Sequence, residues 1–137
     1  MNRSDLHRLA RIRIREARVL KGSRLYDGAY HLAGLAVECA LKACIARNVR
    51  RHDFPDKDFA NEVYSHDLKR LVRAAGLQAA LDNELRANAS FNRNWAVVKD
   101  WAVDSRYSVI GRLKANDFYS ALTARQNGVM RWIRQRW

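Results

Sequence analysis

Apolar residues along the chain recur three and four positions apart, and no window alternates apolar and polar residues as a half-buried strand does. The pattern predicts an all-α fold. A first helix runs from about Ser4, a good N-cap, to Gly22, a good C-cap. It places Leu6, Leu9, Ala10, Ala17 and Leu20 on one face and Arg8, Arg11, Arg15 and Arg18 on the other. Asp27 starts a second helix that continues to about Val49, and the acidic stretch HDFPDKDFANE after it reads as a loop. Ser65 then caps HDLKRLVRAA, which Gly76 ends. Further helices are expected over LQAALDNELRA and SFNRNWAVVKDWAVDSRY. A break at SVIGR precedes a last helix from about Asn116 to the C-terminus, with Phe118, Leu122, Val129 and Ile133 as its apolar stripe. Long helices with short connections favour an antiparallel four-helix bundle with one or two accessory short helices.

Three places break the simple amphipathic scheme. Arg13 lies in the middle of the apolar stripe of the first helix, so it predicts a carboxylate partner within the bundle or across an oligomer interface. The second helix is apolar nearly all round, yet Arg24, Asp27, His31, Glu38 and Lys42 project within a sector of about 60°. These residues are either the solvent-facing edge of a central helix or a polar groove in which Glu38 and Lys42, one turn apart, form a fixed pair. In the third place, Phe91, Trp95, Val98 and Ala102 share an apolar face with Trp101 beside it, while Lys99 and Arg106 align on one flank next to Trp95. Two cations beside an indole suit a base and its phosphate. Core tryptophans with a snorkelling lysine are the alternative.

The 137 residues, 48% hydrophobic and 29% charged, suit a single domain covering the whole chain, residues 1–137. No uninterrupted apolar run of about 18 residues suggests a membrane span. Lys and Arg total 26 against 14 Asp and Glu, a formal net charge of +12, and this excess points to a polyanionic partner. Most of the cations are arginines, whose planar fork grips phosphate or carboxylate in a bidentate way. Cys39 and Cys44 lie about 140° apart on a helix and cannot bridge each other, so they read as free thiols in a reducing compartment. With no apolar signal-peptide core at the N-terminus, a cytoplasmic location is expected. Zinc-ligand spacing, a phosphate-binding glycine loop and a nucleophile elbow are all lacking. The acidic stretch with Asp53, Asp56, Asp58 and Glu62 lacks the central glycine of a calcium loop. No metal or cofactor is therefore expected.

Three segments in order carry a resemblance. The run YDGAYHLAGLAVECALKACIA, the stretch YSHDLKRLVRAAGL with His66-Asp67-Leu68, and WAVVKDWAVDSRY ending in Arg106-Tyr107 together resemble the HEPN superfamily, small helical domains linked to nucleotide and RNA work. The resemblance spans about Leu6 to Tyr107 and is strongest from Ala36 to Ala43. It implies an antiparallel four-helix bundle, usually dimeric, acting in toxin–antitoxin, phage-defence or RNA-processing systems. Active members are metal-independent endoribonucleases with an R-x(4–6)-H motif in a late helix. There histidine moves the proton as a ribose 2′-OH attacks its own phosphodiester, and arginine stabilises the phosphorane charge.

This sequence departs from that motif, because no histidine follows Arg106. The spacing does occur as Arg24-x6-His31 and Arg47-x4-His52, but four histidines among so many arginines produce about two such matches by chance. Arg24 and His31 at least share the polar stripe, whereas Arg47 and His52 read as helix-end cations. His66, between Ser65 and Asp67, is expected to orient a helix start as a neutral imidazole.

The reading that follows is a HEPN-like module binding RNA or nucleotide phosphate through Glu38, Lys42, Lys99, Arg106 and Tyr107, or docking a nucleotidyltransferase-type protein, as a homodimer with no membrane association. One alternative is an endoribonuclease using His31, Arg24 and Arg106. The other is a structural interaction module that neutralises an acidic partner.

Overall fold

The computed structural model describes residues 1–49 and 56–137, and His52 and Asp53 of the sequence reading lie outside them. The described residues form eight α-helices: α1 (Arg3–Gly22), α2 (Tyr26–Asn48), α3 (Lys57–Val63), α4 (Leu68–Ala74), α5 (Gln78–Ala87), α6 (Ala89–Val98), α7 (Arg112–Thr123) and α8 (Val129–Arg134). A short 3-10 helix, Val103–Tyr107, links α6 to α7. There is no strand among these residues, so the all-α expectation holds.

Local caps explain several boundaries. The Asn2 side chain accepts from the Asp5 amide at 3.0 Å, and the Asp5 carboxylate accepts from the Asn2 amide at 3.0 Å. This reciprocal capping box starts α1 just ahead of Ser4. Asp56 accepts from the Phe59 amide at 2.7 Å and starts α3 inside the stretch expected to be a loop, with Phe59 and Val63 packed against the core. The N-cap of α4 is Asp67, which accepts from the Lys69 amide at 2.9 Å, while Ser65 Oγ accepts from the Asp67 amide at 3.0 Å. Ser65 thus supports the cap instead of being it.

Helix α2 is central, packing along α1 and touching α4, α7, α8 and the 3-10 helix. Its alanines 29, 33, 36, 40 and 43 are buried, and Ala10 and Ala17 of α1 are buried as well. Small side chains let helix backbones approach closely, while Val37, Leu41, Leu68, Leu71, Phe91, Phe118, Leu122 and Ile133 fill the core. By length and composition α2 would also suit a membrane span, but 67% of its apolar window is buried within the protein. Its apolar surface serves the core. The arginine face of α1 and the apolar stripe from Phe118 to Ile133 lie as the helical phase predicts, exposed and buried respectively. Arg13 finds its carboxylate on its own helix, at Glu16, 2.8 Å away and one turn along. Cys39 and Cys44 are free thiols, and burial pushes the Cys44 thiol up to about 11.

Two expected helices are broken. Helix α6 stops at Val98, and the chain turns so that Trp101, only 2% exposed, enters the core against Gly34. Ala102 consequently lies on the surface, and Lys99 and Arg106 do not share a helix flank. The expected last helix is split between Thr123 and Val129. At the bend the Gly128 amide donates to the Ala124 carbonyl at 3.1 Å, and a Cβ on Gly128 would stand 2.3 Å from that oxygen. Only glycine fits there.

Candidate functional site

The polar stripe of α2 is a seam between elements. In its first turn Asp27 accepts from the backbone amide of Ile110, which ties the start of α2 to the link before α7. One turn on, the His31 ring lies 6.0 Å from the Trp101 ring with a 33° tilt. Next comes Gly34, where a Cβ would fall 1.9 Å from the indole, so the missing side chain is the seat for Trp101. A further turn brings Glu38, 6% exposed, whose carboxylate accepts from Lys42 Nζ at 2.7 Å and from His66 Nδ1 at 2.9 and 3.0 Å. Successive turns of one helix thus receive the chain that follows α6 and His66, the residue before the cap of α4.

The stripe is therefore mixed along its length, exposed at Arg24 and Asp27 and buried at Glu38. Neither a bare solvent edge nor an empty groove is present, because Asp27, Gly34 and Glu38 are each covered or bonded by another segment. The expected Glu38–Lys42 pair forms, and a buried carboxylate with two partners meets the requirement for burying a charge. Both groups are engaged with each other. His66, next to the Asp67 cap of α4, reaches back to Glu38 across the core boundary.

His31 is the stripe residue with spare chemistry. Its Nδ1 is buried without a partner, and its imidazole is held below the ordinary value of 6.5, by burial first and by the Arg106 guanidinium second, against an opposing pull from Glu38. Arg106 therefore acts on His31 electrostatically. Trp101 Nε1 and Ser105 Oγ are buried without partners too, so three unsatisfied polar atoms sit in or beside one seam. Arg24 is brought into no such arrangement. It stands exposed in the left-handed region at φ 61° between α1 and α2, and among the described residues no hydrogen bond or ion pair joins it to His31.

Beside the seam, His66, Asp67, Lys69, Lys99, Asp100, Trp101 and Asp104 contribute to a cleft of about 260 Å³. Lys69 Nζ donates to Asp100 at 3.4 Å, and three aspartates face two lysines, so the cleft has mixed charge. Trp95 and Trp101 are both buried and offer no free face to a base. The core-tryptophan alternative therefore describes these two residues, with Lys99 half-buried at the end of α6. An accessible ring in this part of the chain is Tyr107, 80% exposed, with the Arg106 guanidinium 4.9 Å above it.

The tie from Asp27 to Ile110 and the seat that Gly34 gives Trp101 were not among the expected features of α2. A glycine inside an alanine- and leucine-rich helix is the signal for a close approach, and of the two in α2, Gly28 and Gly34, it is Gly34 that seats the indole. No group of three metal-ligating side chains occurs among the described residues. No family model, curated protein or solved structure matches the chain.

Proposed function

We propose that the protein is a HEPN-like helical bundle that binds RNA through its phosphate backbone. The observation that carries this reading is where the positive charge goes. Among the described residues Arg13 is the one arginine paired with a carboxylate, so the excess that makes the chain +12 is presented outward. Arg8, Arg11, Arg15 and Arg18 form an exposed row on α1, suited to phosphates spaced along a strand. Arg106 over the exposed Tyr107 supplies a cation beside a ring on which a base can stack. Tyr107, Val109 and Leu113 also leave apolar surface for a second copy or a nucleotidyltransferase-type partner to cover, as the resemblance implies.

Fluorescence anisotropy with labelled single-stranded RNA tests the reading. Affinity falls steeply as salt rises, with a logarithmic slope of about −0.7 for each phosphate contacted. Replacing Arg8, Arg11, Arg15 and Arg18 by alanine lowers both affinity and slope, and Tyr107→Ala weakens binding by about 1–3 kcal/mol. Affinity that ignores salt would overturn the proposal.

A metal-independent ribonuclease is the second reading, supported by the unpartnered Nδ1 of His31 in the α2 seam and by an imidazole held below its ordinary value by burial first and Arg106 second. In that scheme His31 takes the 2′-OH proton and Arg106 steadies the phosphorane. RNA cleavage in EDTA that His31→Ala abolishes would establish it, and an inert wild-type protein would remove it.

A further inference from the structure

The bend that splits the last expected helix creates a second basic site. Arg125 lies in the turn after α7, and Arg131 and Arg134 lie three residues apart on the exposed face of α8. Together with Leu122, Thr123 and Ala124 they line a cleft of about 370 Å³ that contains no carboxylate. Arg131 Nη1 donates to the Arg125 carbonyl at 2.8 Å, so its guanidinium is held in place by the turn. Thr123 Oγ1 spends its hydrogen on the Tyr119 carbonyl at 2.8 Å. Among the described residues the side chains of Arg125 and Arg134 make no hydrogen bond, and none of the three arginines has an ion-pair partner. The neighbouring cavity shares Arg131 and includes Glu84, whose carboxylate instead accepts from Asn88 at 3.1 Å.

Three like charges gathered around one cleft repel unless an anion joins them, and guanidinium forks match the oxygens of phosphate. We propose that the Arg125–Arg131–Arg134 cleft binds a compact, multiply charged phosphate, such as a diphosphate group, either free or as the tail of a nucleotide. The lining holds no aromatic ring for a base, so recognition is confined to the phosphates. This site shares no residue with the α2 seam or the α1 arginine row and does not depend on the RNA-binding reading.

The test is titration of the full chain with inorganic pyrophosphate at constant ionic strength, followed by calorimetry and by the shift in melting temperature. Saturable binding is expected, with Arg125→Ala and Arg134→Ala each weakening it about tenfold. Neither substitution removes a hydrogen bond within the protein, so the melting temperature without ligand stays unchanged. Arg134→Lys keeps the charge but loses the fork and falls between wild type and alanine. Comparable binding of ADP with weak binding of AMP assigns the site to a nucleotide tail, whereas pyrophosphate binding without ADP binding assigns it to the free anion. A response no greater than sodium chloride produces, or one undiminished in the Arg125→Ala/Arg134→Ala double variant, overturns the proposal. The α1 arginine variant keeps pyrophosphate binding even where RNA binding is lost, and this separates the two sites. Loss of pyrophosphate binding in that variant would reveal general charge attraction and also overturn the proposal.

Discussion

The carboxylate of Glu38, in the middle of the central helix, accepts the Nδ1 hydrogen of His66 across 28 residues of chain. Lys42 approaches the same carboxylate at 2.7 Å, so one buried acid holds both its own helix surface and the start of α4. A buried carboxylate is tolerated only while its partners stay in place.

Glu38→Ala is therefore expected to destabilise the fold by about 2 kcal/mol, because it removes the acceptor and leaves a gap in the seam. The cost stays moderate because Lys42 and His66 are partly exposed and recover water. Glu38→Gln, which keeps the shape and one acceptor, should lose about half as much. Urea unfolding reads both as a lower midpoint at constant slope, and an unchanged midpoint for Glu38→Ala would deny the network a stabilising role.

The seat of Trp101 makes a sharper prediction. Gly34→Ala puts a methyl where the indole lies, and overpacking of this kind costs about 3 kcal/mol when the neighbour is fixed in the core. Trp101→Ala alone costs about 3–5 kcal/mol through the cavity it opens. In the double variant the two losses should sum to clearly less than their total, since the added methyl then occupies vacated space. Strict additivity would show that the two residues do not share that space.

Stability should fall as the solution is acidified below neutrality. The folded-state pKa of His31 is lowered by burial and Arg106, and that of His7 by burial, Arg3 and Arg11. For both, the unfolded chain binds protons more readily, so their contribution is fully present above the ordinary value of 6.5 and is lost as pH falls through the folded values. Unfolding free energy measured between about pH 5 and 7 should rise with pH. The combined His7→Asn and His31→Asn variant should flatten that slope, and an unaltered slope would assign it to other groups.

Much of the helical frame follows from local rules. The arginine row of α1, the buried pairs Phe118–Leu122 of α7 and Val129–Ile133 of α8, and the Glu38–Lys42 pair all depend on residues three or four apart, which each helix itself brings together. The start of α3 and the bend at Gly128 were also legible, since Asp56 stands before an apolar i, i+4 pair and Asn127-Gly128 is a turn signal. The acidic charge of the first stretch masks that pair and makes it read as a loop, while a long amphipathic phase runs on through Gly128.

The candidate site was less legible, because its contacts join distant parts of the chain. No local pattern links Trp101 to Gly34, Ile110 to Asp27 or His66 to Glu38. Stopping α6 at Val98 pulls Lys99 and Arg106 off a shared helix flank, and of the two readings of Trp95 and Trp101 the packing of distant segments selects the core. The arginine cleft of α7 and α8 likewise exists only because the chain bends at Gly128. The helical class, the faces and the surplus of positive charge are properties of composition and of a 3.6-residue period, and are fixed before any helix meets another. Tertiary structure alone decided which polar residues were engaged in holding segments together and which arginines were left facing a cleft, because burial and pairing depend on what packs against a helix.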